Sequence, residues 1–209
     1  RDQIHDAMAL LPAGQTGTSR RTVLQAAMAS GLFAAAVQPV SAQTMIVTST
    51  DGLEAGDVSI DVNGFAMPAY RAAPKGGKNL PVVLVLSEIF GVHAHIADVA
   101  RRLAHQGYLA IAPQLFVRQG DAASYTDIPT LMREVIAKVP DGQVLADLDA
   151  TVRWAGQHGG DTSRLGVTGF CWGGRMTWLY AAHNPQVKAG VAWYGRLVGD
   201  KTALTPQQP

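Results

Sequence analysis

The apolar positions of this chain change period along its length. Val58, Ile60 and Val62 alternate with polar residues, the spacing of a half-exposed strand. Phe65 to Ala72 can pair back on it through an Asn63-Gly64 turn. Pro74 to Asn79 is rich in Gly and Lys and reads as a loop. Pro81 to Leu86 is continuously apolar and β-branched, which predicts a strand buried on both faces, as in a parallel sheet. Ile96, Val99, Ala100 and Leu103 then share one helical face, closed by Gly107. Tyr108 to Ala112 is a second buried strand, stopped by Pro113.

Two more helical stripes follow. Leu131, Val135 and Val139 form one, cut by Pro140, and Val144, Leu145, Leu148, Val152 and Ala155 form another, starting near Asp141. Arg164 to Thr168 predicts a strand, Gly173 to His183 a helix ended by Asn184-Pro185, and Lys188 to Trp193 a further strand. Repeated strand–helix–strand units predict an α/β fold, a doubly wound and mostly parallel sheet with helices on both faces. No internal repeat and no second domain is visible.

Residues 19–42 break this rhythm. Ser19-Arg20-Arg21-Thr22-Val23-Leu24-Gln25 is a twin-arginine segment, Ala26 to Val37 a short apolar run, and Val40-Ser41-Ala42 a set of small residues suited to signal-peptidase cleavage. The expectation is a leader over 1–42, export by the twin-arginine machinery to the periplasm, and one domain over 43–209. An Ala-rich helix is the alternative for that run.

The 209 residues carry 17 basic and 16 acidic side chains, and residues 43–209 carry 14 of each. That balance excludes the broad basic field needed to hold nucleic acid. No apolar run reaches about 18 residues, so no ordinary spanning helix or membrane anchor is expected. One cysteine excludes an internal disulfide framework. No phosphate loop or metal-ligand cluster appears, so neither cofactor nor metal is expected; His93 and His95, two residues apart, lack a nearby third ligand. His105 and His158 sit at helix ends, where they suit the helix dipole.

The sharpest chemical signal is Gly169-Phe170-Cys171-Trp172-Gly173-Gly174, between a predicted strand and a predicted helix. This is the spacing of a nucleophile elbow, with cysteine in place of the commoner serine. Gly169 and Gly173 let neighbouring backbone pass close to a tight turn. The helix that follows aims N–H groups at the sulfur, favouring thiolate and later an oxyanion. A buried, inert cysteine is the alternative. A second signal is Glu88, placed by Ser87-Glu88-Ile89-Phe90-Gly91 just past the buried Val82–Leu86 run, where open α/β sheets place their sites. Trp172 could wall a pocket or simply pack.

Taken together, Leu86 to Val92, Gly107 to Pro113 and Gly169 to Gly174 resemble the dienelactone hydrolase family, the carboxymethylenebutenolidases, from about Val58 to Tyr194. The resemblance implies an α/β-hydrolase fold and hydrolysis of a small-molecule ester or lactone through an acyl-cysteine. It gives Cys171 the nucleophile's place and Glu88 that of the carboxylate that pairs with the resting thiol. The backbone N–H groups of Ile89 and Trp172 would form the oxyanion hole. Arg133 and Arg118 stand near positions where the family binds a substrate carboxylate, although arginines there also read as solvated helix residues.

The family orders its triad as nucleophile, acid, histidine. After Cys171 this chain has His183 and then Asp200, the reverse order. Twelve helical residues would also put His183 roughly 18 Å from the sulfur. The sequence therefore predicts that the triad base and acid, with the last strands, lie beyond Pro209, and that the 209 residues alone are inactive and poorly stable. A degenerate fold serving as a binding or thiol-sensing module is the rival reading.

Overall fold

The computed structural model describes residues 46–197. The expected leader, its cleavage site and Asp200 lie outside the described residues. Six strands form one sheet: β1 (Leu53–Val62), β2 (Phe65–Pro74), β3 (Leu80–Leu86), β4 (Leu109–Pro113), β5 (Gly160–Phe170) and β6 (Val187–Trp193). Their order across the sheet is β1-β2-β4-β3-β5-β6. The chain places α1 (Ala94–His105) between β3 and β4, α2 (Ile128–Glu134) and α3 (Asp141–Gln157) between β4 and β5, and α4 (Trp172–His183) between β5 and β6.

β1 and β2 are an antiparallel hairpin in register from Leu53↔Pro74 to Val62↔Phe65. Asn63 at φ 54° and Gly64 at φ 86° form its turn. Two positive φ angles are what a tight hairpin loop needs to match the strand twist. β2 meets β4 antiparallel, whereas β4, β3, β5 and β6 run parallel. The parallel strands are the apolar runs, and β4 is buried at every position.

Helices cover both faces. Leu145, Leu148 and Val152 of α3 and Met176, Leu179 and Tyr180 of α4 pack with Leu84, Ile111 and Val167 on one side. Ile96, Ala100 and Ala104 of α1 pack with Val85, Ala110 and Ala112 on the other. Beyond α1 that second face opens into an apolar groove of about 590 Å³, lined by Val83, Val99, Leu103, Phe170, Val191 and Trp193. Among the described residues β6 is an edge strand.

The stripe Leu131-Val135-Val139 does not make one helix. α2 ends at Glu134, Val135 sits at φ −119° and ψ −66°, and Ile136–Lys138 form a 3₁₀ turn. Tightening the chain there lets the adjacent Val135 and Ile136 both turn inward against Phe116 and Leu131. A regular helix would splay those neighbours about 100° apart. Pro140 helps, because it forces Val139 into an extended conformation.

Candidate active site

The β5–α4 turn is built by steric necessity. Cys171 occupies φ 54° and ψ −113°, outside the relaxed backbone regions, and is exposed. A Cβ on Gly173 would lie 2.5 Å from the carbonyl oxygens of Leu86 and Ser87 at the end of β3. A Cβ on Gly169 would strike the Gly173 carbonyl, and one on Gly174 would lie 2.7 Å from the Trp193 oxygen. Only glycine lets three strand ends crowd under the turn. The Cys171 N–H donates to the Trp193 carbonyl at 2.9 Å, and the Arg175 N–H donates to the Cys171 carbonyl at 3.1 Å. The strained residue is therefore held from both sides, with its side chain at the C-terminal edge of the sheet. The alternative of a buried core cysteine does not hold, because Cys171 is exposed.

α4 starts at Trp172, so the Trp172 N–H is one of the first-turn donors without an intrahelical acceptor. The Trp172 ring packs edge-on against buried Phe116, centroids 4.7 Å apart, and both Trp172 and Ile89 border the Phe116–Leu131 cluster. Arg175 on α4 donates twice to Asp141 at the start of α3, at 2.8 and 2.7 Å. That pair clamps the helix base behind the turn.

Glu88 lies two residues past β3, with 18% of its side chain exposed. Its Oε2 stands 3.0 Å from His93 Nε2. Burial works against the Glu88 carboxylate. The His93 hydrogen bond, a bond from its own N–H and the positive influence of His93 and His95 outweigh it, and its pKa is held below the usual value. Tyr194, just after β6, stands close to Glu88 and Cys171. Partial desolvation first, then the charges of Glu88 and Cys171, push its phenol up. His95, Phe170 and Trp193 complete an aromatic rim, with centroids 6.2 Å apart for His95–Phe170 and 6.3 Å for Phe170–Trp193.

The structure thus brings Cys171, Glu88, Ile89 and Trp172 to one edge of the sheet. It does not bring the arginines there as free cations. Arg118 grips buried Asp147 with two bonds of 2.7 and 2.9 Å and lies 4.0 Å over the Phe65 ring. Arg118 was expected to bind substrate; in this structure its guanidinium joins the loop after β4 to α3. Arg133 is exposed on α2 and bonds Glu134 and Thr130. His183 ends α4, far along the helix from Cys171, and pairs with Asp149 at 2.8 Å. His105 meets the Ser49 carbonyl, and His158 stacks on Trp154 while bonding its carbonyl. Among the described residues no group of three or more His, Cys, Asp or Glu side chains is placed to hold a metal ion.

Two neighbours of the site were missed from sequence, His93 and Tyr194. The loop from Glu88 to His93 turns at Gly91, φ 75°, and the Gln114 side chain accepts from the Val92 N–H at 3.1 Å.

The family model of the dienelactone hydrolases matches residues 67–209. The chain belongs to that family. A Methylorubrum extorquens protein named "Putative carboxymethylenebutenolidase" is 60% identical over 198 residues, covering 94% of this chain and 68% of that relative. An Escherichia coli protein of the same name is 59% identical over 178 residues, covering 85% and 65%. The crystal structure of a "Putative Dienelactone Hydrolase" from Klebsiella pneumoniae superposes with a TM-score of 0.68 at 62% identity, covering 74% of this chain and 65% of that one. The chain therefore spans about two thirds of the length of these dienelactone hydrolase relatives. Membership accounts for the α/β-hydrolase arrangement of sheet and elbow.

Proposed function

We propose that the protein hydrolyses a small-molecule ester or lactone through an acyl-cysteine intermediate. The observation that carries this reading is the exposed Cys171 at φ 54° on the turn between β5 and the first N–H groups of α4. Glu88 takes the thiol proton as substrate binds. The thiolate sulfur attacks the carbonyl carbon, and the oxyanion is held by the N–H groups of Trp172 and Ile89. The C–O bond to the leaving group breaks, and the leaving alkoxide takes the proton that Glu88 had accepted. Water then cleaves the thioester, returning acid and thiol. Residues 19–42 support a second proposal, export to the periplasm, which fractionation of cells carrying the tagged protein would test.

The acylation half of this scheme is testable by itself. p-Nitrophenyl acetate is expected to release a burst of about one nitrophenolate per chain and to leave an acetyl group on the Cys171 peptide. Cys171→Ala abolishes the burst, and Glu88→Gln slows it by ~100-fold, the scale of a lost general base. Acetylation at other residues only, or a burst indifferent to both changes, would sink the proposal.

A further inference from the structure

His93 occupies an unusual double position. It is the N-cap of the 12-residue helix α1, where its Nδ1 accepts the His95 N–H at 3.3 Å. An Nδ1 that accepts a backbone N–H carries no proton. The ring proton of the neutral imidazole is then on Nε2, which faces Glu88 Oε2 at 3.0 Å. The helix end thereby chooses the tautomer, and the tautomer supplies the donor that Glu88 receives.

We propose that His93 is a positioning residue for the reaction at Cys171: by capping α1 through Nδ1 it presents a fixed Nε2–H that holds the Glu88 carboxylate ionised and in one orientation. The inference rests on the assignment of Glu88 as the thiol's proton acceptor. A carboxylate with one oxygen engaged keeps the other free to accept, and it loses rotamer freedom before substrate arrives. The helix N-terminus adds a positive partial charge that favours the carboxylate nearby. The other charged and titratable groups around His93 come from several elements. His95 stacks on it with rings 6.2 Å apart and planes 19° apart. Asp57 of β1 lines one cavity that His93 lines, and Asp121 lines another. Tyr194 approaches from beyond β6 on the Glu88 side.

Two substitutions separate the two bonds. His93→Asn keeps a good N-cap acceptor but is too short to reach Glu88. His93→Gln keeps an N–H donor at about the reach of Nε2 but caps poorly. The Glu88 carboxyl can be titrated directly by its side-chain ¹³C shift in the intact protein, whether or not an ester is ever cleaved. The expected result is a midpoint raised by at least about half a pH unit in His93→Asn, a ~3-fold change in proton affinity, with His93→Gln near wild type. The nitrophenolate burst follows the same order: slowed in His93→Asn, largely kept in His93→Gln. Long-range ¹H–¹⁵N spectra at pH 8 show the Nε2–H tautomer. An Nδ1–H tautomer, or two variants whose Glu88 midpoints match each other, overturns the inference. A normal His93 result with no burst in wild type would instead defeat the hydrolytic assignment and leave the positioning bond standing.

Discussion

Replacing Gly173 with alanine is expected to cost about 3 kcal/mol or more of folding stability, because the clash has nowhere to go. The new methyl would press on the Leu86 and Ser87 carbonyls at 2.5 Å, at the last residue of a central strand and the one after it. A side chain in the way could rotate, whereas the Leu86 carbonyl, in a parallel ladder, cannot move without breaking its register with β5. Urea unfolding of the two proteins measures the difference. Gly142→Ala is the control. Gly142 stands in the first turn of α3 with nothing within 4 Å of its missing methyl. That change is expected to stabilise by about 0.5 kcal/mol, since alanine restricts the unfolded chain and favours the helix. A Gly173→Ala protein as stable as wild type would mean the three strand ends are not packed under the elbow as described.

Arg118→Ala is expected to be comparably damaging, about 3 kcal/mol at pH 8, for an electrostatic reason. Asp147 is buried and receives both of its bonds from Arg118. Burial already outweighs that pairing and pushes the Asp147 carboxyl above its usual value. Without Arg118 it rises further. What is penalised is the ionised carboxylate in the folded protein. The loss is therefore felt in full above the raised folded pKa and fades as pH falls through it, where the folded protein takes up a proton that the unfolded chain does not yet hold. The gap between variant and wild-type unfolding midpoints should narrow from pH 8 to pH 5. A gap that widens on acidification refutes the pairing as the cause. Replacing both partners together, Arg118→Met with Asp147→Leu, is expected to recover most of the stability.

The legibility of the sequence differs sharply between local and distant features. β3 and β4 could be read because a strand buried on both faces is apolar at every position, and nothing distant is needed to recognise it. The elbow could be read because its glycines stand at a fixed local spacing around Cys171, even though Gly173 and Gly174 answer to the Leu86, Ser87 and Trp193 carbonyls of neighbouring strand ends. The helix break at Val135 could not, since it answers to Phe116 and the shape of the cluster beneath it. The Arg118–Asp147 pair spans 29 residues, and periodicity says nothing about which aspartate on a buried helix face waits for which arginine. The Glu88–His93 contact failed for a subtler reason. Five residues apart is neither a helical nor a strand spacing, and the contact exists because Gly91 turns the loop back while the β4 end, through Gln114, holds it there.

Cys171 is the chain's one cysteine, and it lies exposed. Peroxide that converts its sulfur to sulfenic acid finds no second thiol within these 209 residues to resolve it. Its fates include a mixed disulfide with a small thiol, a bridge to another copy, and further oxidation to the sulfinate, and reductant does not undo the last. The exposure that the proposed attack by this sulfur needs also opens it to oxidants, so the working lifetime of a preparation is expected to depend on this one atom.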